Sequence, residues 1–184
     1  IMRFDAAVFD LDGTLVDSVP LILRSYRQAY LDVFGCCSRS DEDFLSYIGR
    51  PLIDAFSMHD KDTATKLFNA YLEYNCALLE KNEVPLFDGV LEGMLELKKK
   101  GVLQGIVTAK LESSAEVTLR LLGIDKFCDI YIYHGDSQKH KPDPEPLFVA
   151  ADRLNIKDMK RVLYVGDAMP DVLCAHNANA AFAL

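Results

Sequence analysis

Ala6-Ala7-Val8-Phe9-Asp10-Leu11-Asp12-Gly13-Thr14-Leu15 is a short apolar run that ends on two carboxylates two residues apart. Its first four residues show no polar alternation. That is the pattern of a strand covered on both faces, as in a parallel sheet. Asp10 and Asp12 leave the strand end close enough to point into one crevice, and Gly13 permits a sharp turn behind them. Paired carboxylates repel each other and readily share protons or metal ions, which suits acid–base or metal chemistry. A solvated loop with a helix-capping aspartate is the bland alternative for Asp-x-Asp alone. The continuation through Gly13, Thr14 and Leu15 disfavours it.

Outward from this motif, further β-type runs are predicted at 103–107, 130–133, 161–165 and 181–184. Between them a helical period appears over 91–100, 112–122 and 146–154, and another helix opens near Pro170. The first of these ends in Lys98, Lys99 and Lys100 before Gly101, read as a solvated helix C-terminus. The alternation implies an α/β fold with a doubly wound, mainly parallel five-stranded sheet of Rossmann-like design. From 16 to 85 there is no strand candidate. Helices are predicted there over 20–34 (with Asp17-Ser18 as its cap), 41–47, 51–56 and 60–81. The apolar face of the last reads as the core of this helical layer. The chain thus divides into an α/β core, 1–15 and 86–184, and an inserted helical cap, 16–85. The cap is expected to open and close about linkers near Val16 and Leu86, excluding water during reaction.

Ligands of open α/β sheets bind outside the carboxyl ends of the strands, and polar clusters fall at or soon after four of those ends here. Val165-Gly166-Asp167-Ala168-Met169-Pro170-Asp171 brings two more carboxylates to the mouth that holds Asp10 and Asp12. Magnesium takes oxygen ligands and keeps several waters, so Asp10, Asp167 and the Asp12 backbone carbonyl form a minimal candidate set. Asp171 is expected to orient a metal-bound water. Capping of the helix near Pro170 by Asp167 and Asp171 is compatible with this. Thr108-Ala109-Lys110 sits at a strand-to-helix junction, where a hydroxyl and backbone amides can hold phosphate oxygens. Lys139-His140-Lys141-Pro142-Asp143-Pro144 offers a cation for a transferring phosphoryl group, with Lys141 favoured over Lys139.

The formal charge of −8 disfavours nucleic acid or an anionic membrane surface as the main partner. It also makes a bound cation attractive for an anionic substrate. No apolar run of about 18 residues is present, so no membrane span is expected. The first residues lack the apolar stretch of a signal peptide, and a cytoplasmic location is expected. Ile1, which precedes Met2, plays no part in the reading. Cys36, Cys37, Cys76, Cys128 and Cys174 form no C-x-x-C pair and are expected reduced, several as small core residues. His59, His134, His140 and His176 share no ligand spacing with them, so no zinc site is expected. Packing or surface roles are expected for these histidines, with only His140 near the site.

Phe9-Asp10-Leu11-Asp12-Gly13-Thr14-Leu15, Val107-Thr108, Lys141-Pro142, and Val165-Gly166-Asp167 with Asp171 occur in the order of the haloacid dehalogenase superfamily, which the chain resembles over nearly its whole length. With Val16-Asp17-Ser18 and Ile48-Gly49-Arg50-Pro51-Leu52, the insert is similar to a C1-type cap. The chain looks closest to the phosphoglycolate phosphatase and pyrophosphatase-like branch. The resemblance implies a Mg2+-dependent phosphatase acting on a small phosphorylated metabolite through an aspartyl-phosphate. It makes Asp10 the nucleophile and a metal ligand, and Asp12 the general acid and then base. Thr108 and Lys141 become phosphoryl holders, Asp167 a metal ligand, Asp171 its support, and Arg50 a substrate contact from the cap. An acid at Asp12 disfavours a dehalogenase. A β-phosphoglucomutase-like mutase and a decayed binding protein on the same fold are the alternatives. Ala168 stands where many relatives carry Ser, and Asn179 where they usually carry Gly. The chain stops at its fifth strand, short of a further helical segment that many relatives have.

Overall fold

The central strand carries the first motif. The computed structural model describes residues 3–81 and 84–184. Residues 1, 2, 82 and 83, which the sequence reading places in the first core segment and at the end of the helical insert, lie outside them. β1 (Ala6–Phe9) is buried throughout and lies between β2 (Leu103–Val107) and β4 (Val162–Val165). β3 (Ile130–Ile132) and β5 (Ala181–Ala183) form the edges. The order β3-β2-β1-β4-β5 is parallel throughout, the doubly wound sheet expected from the alternation. Phe9 pairs with both Ile106 and Val165, so the strands carrying Asp10, Thr108 and Asp167 end at the same mouth.

Between β1 and β2 come α1 (Val19–Phe34), α2 (Asp41–Leu45), a 3-10 turn (Leu52–Phe56), α3 (Lys61–Glu80) and α4 (Val90–Lys99). α5 (Glu112–Leu122), α6 (Glu145–Arg153) and α7 (Met169–Asn177) link the remaining strands. α1 has Pro20 in its first turn, but the expected side-chain cap is not made. The Ser18 hydroxyl instead turns back to the Val16 carbonyl. α2 is capped by Ser40, whose Oγ accepts from Asp43 N while Asp43 accepts from Ser40 N. It stops two residues before the predicted end. The amides of Tyr47, Ile48 and Arg50 bond carbonyls three residues back, winding the chain into tight turns through Gly49 (φ +82°). Asn179 adopts the left-handed conformation (φ +58°) that its place in the sequence demanded.

Three apolar clusters hold these layers. Ala7, Phe9, Met94, Ile106 and Leu119 pack on one sheet face, joined by Leu21, Leu78 and Leu79 from the bases of α1 and α3. Val8, Val107, Leu147, Tyr164 and Cys174 fill the other face. Tyr26, Tyr30, Phe44, Phe56, Leu67 and Tyr71 form a separate cluster within the helical insert, with Tyr26 stacked on Phe44 at 4.9 Å. Each such side chain contributes about 1.5–3 kcal/mol on burial before its ordering cost. The two chain crossings into the insert are tied together: Val16 bridges Leu86, Asp17 N donates to Pro85 O, and Phe87 N donates to Leu15 O. Leu21, Leu78 and Leu79, which lie in the insert, belong to the sheet's own cluster. All five cysteines are free: Cys174 is buried in the core, Cys37 and Cys128 are half-buried against apolar clusters, and Cys36 is exposed.

Candidate active site

Asp10 continues β1, donating its backbone N–H to Val165 O, and its side chain is almost fully buried. Lys141, from the loop before α6, places Nζ 3.0 Å from Asp10 Oδ1 and 2.7 Å from Asp171 Oδ1. Asp171 lies in the first turn of α7 with no solvent exposure. Its Oδ1 also accepts from the Tyr164 hydroxyl at 2.9 Å, and its Oδ2 from Ala168 N at 3.1 Å. One ammonium is therefore shared by two buried carboxylates and sits nearer to Asp171. Burial pushes the Asp10 carboxyl up to about 7, with Lys141 pulling down and Asp171 adding to the rise. Burial alone would lower Lys141, but Asp10 and Asp171 outweigh it and hold the ammonium charged.

Asp167 supplies a third carboxylate, and ligand oxygens of Asp10, Asp167 and Asp171 all lie within 4.8 Å of one another. Thr14 donates to Asp167 Oδ1 at 2.6 Å. Burial raises Asp167's carboxyl, with Thr14 opposing and Asp171 reinforcing. Carboxylates gathered this closely with one ammonium among them fit a hard divalent cation with oxygen ligands. Asp171 has both oxygens committed to protein donors, which suits support rather than direct ligation. Asp12's carboxylate is taken by Lys110, with Nζ 2.9 and 3.0 Å from its two oxygens, so its main-chain carbonyl is what remains for a metal.

Gly13 shapes this floor. It sits at φ +83°, and a Cβ there would run into the Asp167 carboxylate. Gly13→Ala is expected to cost about 1–3 kcal/mol of stability and to displace Asp167. Paired thermal melts and metal titrations read the two effects, and a variant matching the parent in both would show that the contact relaxes freely.

Thr108 directly follows β2, buried, and its Oγ1 accepts from Lys110 N at 3.2 Å. Asp10, Asp12, Thr108, Ala109 and Lys110 form the floor of a cavity of about 270 Å³ roofed by the helical insert. The loop after α2 reaches across it, so that a Cβ at Gly49 would stand 3.5 Å from Ala168 Cβ. Arg50, on this loop, lines the same cavity but is solvent-exposed.

The profile of haloacid dehalogenase-like hydrolases matches residues 7–184. The chain belongs to the haloacid dehalogenase-like hydrolases. Within that family it is similar to pyrophosphatase PpaX of Bacillus velezensis, 38% identical over 178 residues, 96% of this chain and 80% of the relative. PpaX of Halalkalibacterium halodurans is 32% identical over 177 residues, 96% of this chain and 81% of the relative. A structure described as a predicted phosphoglycolate phosphatase from Haemophilus somnus superposes with a TM-score of 0.90 at 25% identity, covering 99% of this chain and 85% of that one. These relatives place the chain in the phosphatase branch of the haloacid dehalogenase-like hydrolases. Among the described residues no helix is long and apolar enough to cross a membrane.

In this hydrolase site the structure brings Asp10, Asp12, Thr108 and Ala109 to one floor, with Lys141, Asp167 and Asp171 clustered around Asp10. Two expectations need correction. His134, not only His140, belongs to the site: it lines the cavity and stacks on His140 at 4.2 Å. The apolar face of α3 is not spent wholly on packing, since Phe68, Tyr71 and Leu72 line the cavity as well. Sequence reasoning also missed the roles of Lys110, Tyr164 and Thr14. Lys110 had a signal, a lysine directly after a phosphate-loop threonine and alanine. Tyr164 had a weaker one, two residues before Gly166 in a strand otherwise made of aliphatics.

Proposed function

We propose that this hydrolase is a Mg2+-dependent phosphatase that removes a phosphoryl group from a small phosphorylated metabolite through an aspartyl-phosphate on Asp10. What supports it most is buried Asp10, 3.0 Å from Lys141, clustered with two further carboxylates beside a cavity under the helical insert. A carboxylate attacks an anionic phosphate poorly unless positive charge offsets their repulsion. Bound Mg2+ supplies that offset by neutralising charge on the phosphoryl oxygens. Asp10, Asp167 and the Asp12 carbonyl would hold it, with Asp171 fixing its surroundings.

A carboxylate oxygen of Asp10 bonds to phosphorus as the bond to the leaving oxygen breaks, and Asp12 gives that oxygen a proton. Thr108, the amides of the Ala109 turn and Lys141 hold the phosphoryl oxygens meanwhile. Asp12 then takes a proton from water, whose oxygen displaces Asp10 from phosphorus and releases phosphate. Residues 16–85 act as the cap over the core of 1–15 and 86–184, with Arg50 contacting the substrate at the rim. Names borne by relatives, pyrophosphatase and phosphoglycolate phosphatase, support a small anionic substrate and not a macromolecule.

The test is hydrolysis of p-nitrophenyl phosphate and pyrophosphate with and without Mg2+, beside thermal melts. Turnover is expected only with the metal. Mg2+ at tenfold its Kd should add about 1.4 kcal/mol, or roughly 3–6 °C in Tm. Equal activity in chelator, or no activity and no shift, would contradict the proposal.

A further inference from the structure

The phosphoryl chemistry uses only the floor of the cavity, and the wall above it has a different composition. Ile22 of α1, Leu52 of the 3-10 turn, and Phe68 and Leu72 of α3 line it from the insert. Tyr26 and Tyr71, both buried with ring centroids 4.8 Å apart, line it too. Burial keeps both phenols protonated, so they add no charge. The buried cations are already committed. Lys141 holds Asp10 and Asp171, and Lys110 rests on both oxygens of Asp12. Burial and the neighbouring His140 lower His134, which keeps its ring uncharged at neutral pH. Among the described residues that line the cavity, the cation that remains is Arg50, exposed to solvent at the rim.

Size points the same way as charge. The cavity measures about 270 Å³, and a dry apolar cavity of about 150 Å³ takes a benzene-sized ring. A phosphoryl group therefore leaves room for a ring behind it. A second anion in that space would meet apolar side chains and no free ammonium, and an unpaired buried charge is strongly disfavoured. Moved out to Arg50, it would gain an exposed ion pair, about fivefold in affinity at most. Burying hydrocarbon is worth roughly fourfold per methylene, so a ring outweighs the second charge. We propose that the cavity selects a phosphomonoester whose leaving group is uncharged and carries an apolar ring, packed on Ile22, Leu52, Phe68 and Leu72. This rests on the phosphatase reading above. Such a substrate differs from pyrophosphate and 2-phosphoglycolate, whose leaving groups carry a second charge.

The test compares kcat/KM for cyclohexylmethyl phosphate, ethyl phosphate and 2-phosphoglycolate, with Mg2+ present. All three release a primary alcohol, so intrinsic leaving ability barely separates them. A ring buried over half its surface should be favoured over ethyl by at least about 50-fold, and over 2-phosphoglycolate as well. Phe68→Ala should cut the ring's advantage over ethyl about tenfold, and Leu72→Ala should cut it severalfold. Phe68→Arg, which puts a free cation on the wall, should shift the ratio toward 2-phosphoglycolate. Thermal melts show which variants are folded, and the parent's own ratios decide the matter without any of them. A parent that favours 2-phosphoglycolate, or treats ring and ethyl alike, would overturn the inference and leave the phosphatase reading standing. So would folded Phe68→Ala and Leu72→Ala variants that keep the parent's full preference. A parent that hydrolyses none of the three, nor pyrophosphate, defeats the phosphatase reading itself and this inference with it.

Discussion

Asp10→Asn is expected to lower turnover by at least about 10⁴-fold while leaving the protein folded and no less heat-stable than the parent. Removing a nucleophile that acts within a concerted unit costs several orders of magnitude, because the remaining groups have no bond to assist. The amide has nearly the same shape and removes a charge whose burial is unfavourable: desolvation is the largest influence on the Asp10 carboxyl, and Asp171 repels it further. Lys141 keeps its nearer partner, Asp171, at 2.7 Å. Melting in metal-free buffer should therefore occur at or above the parent's temperature. Active sites hold charges the fold alone would not keep, and their removal often stabilises. A variant melting well below the parent would mean that Asp10 is chiefly structural. Parallel melts and initial rates make the check.

Lys141→Met is expected to have the largest effect on stability. It leaves Asp10 and Asp171, both buried, facing each other without their shared ammonium. An uncompensated buried charge costs about 3–5 kcal/mol, roughly 6–20 °C in Tm for a domain of this size. The pH dependence has a definite sign. In the parent, burial already raises the Asp10 carboxyl to about 7, and losing the cation raises it further. A carboxyl whose folded pKa lies above its unfolded value near 4 contributes stability that is present below that value and lost as pH rises through the folded one. The deficit of Lys141→Met should therefore be small near pH 4 and grow through pH 7. Denaturant titrations across that range test it, and a deficit independent of pH would show that lost packing, not charge, dominates.

The strands and the motif were legible because they depend on local signals. Four apolar residues running into Asp10 read as a buried strand without knowledge of its neighbours, and Gly101 marks a helix end wherever the helix packs. Asp10, Asp167 and Lys141 were legible as site residues because strand ends of a parallel sheet share one mouth. The pairings among side chains were not. Lys110 and Asp12 are 98 positions apart, and only the folded sheet shows that a lysine beside Thr108 lands on a carboxylate after β1. Asp171 read as support for a metal, but no spacing showed that its oxygens also bond Lys141, Tyr164 and the Ala168 amide. The cavity roof was hidden for a related reason. Periodicity places Tyr26 and Tyr71 on apolar faces, but cannot tell a ring packed in a cluster from one that also presents its hydroxyl to a ligand.

The most direct test of the central claim is to look for the phosphoryl group on Asp10. The protein is mixed with Mg2+ and pyrophosphate, quenched in acid during turnover, reduced with borohydride and mapped by peptide mass spectrometry. Reductive cleavage of an acyl phosphate at position 10, giving homoserine there and nowhere else, is the predicted result. Robust Mg2+-dependent hydrolysis with Asp10 unmodified, together with an Asp10→Asn variant that still turns over, would contradict it.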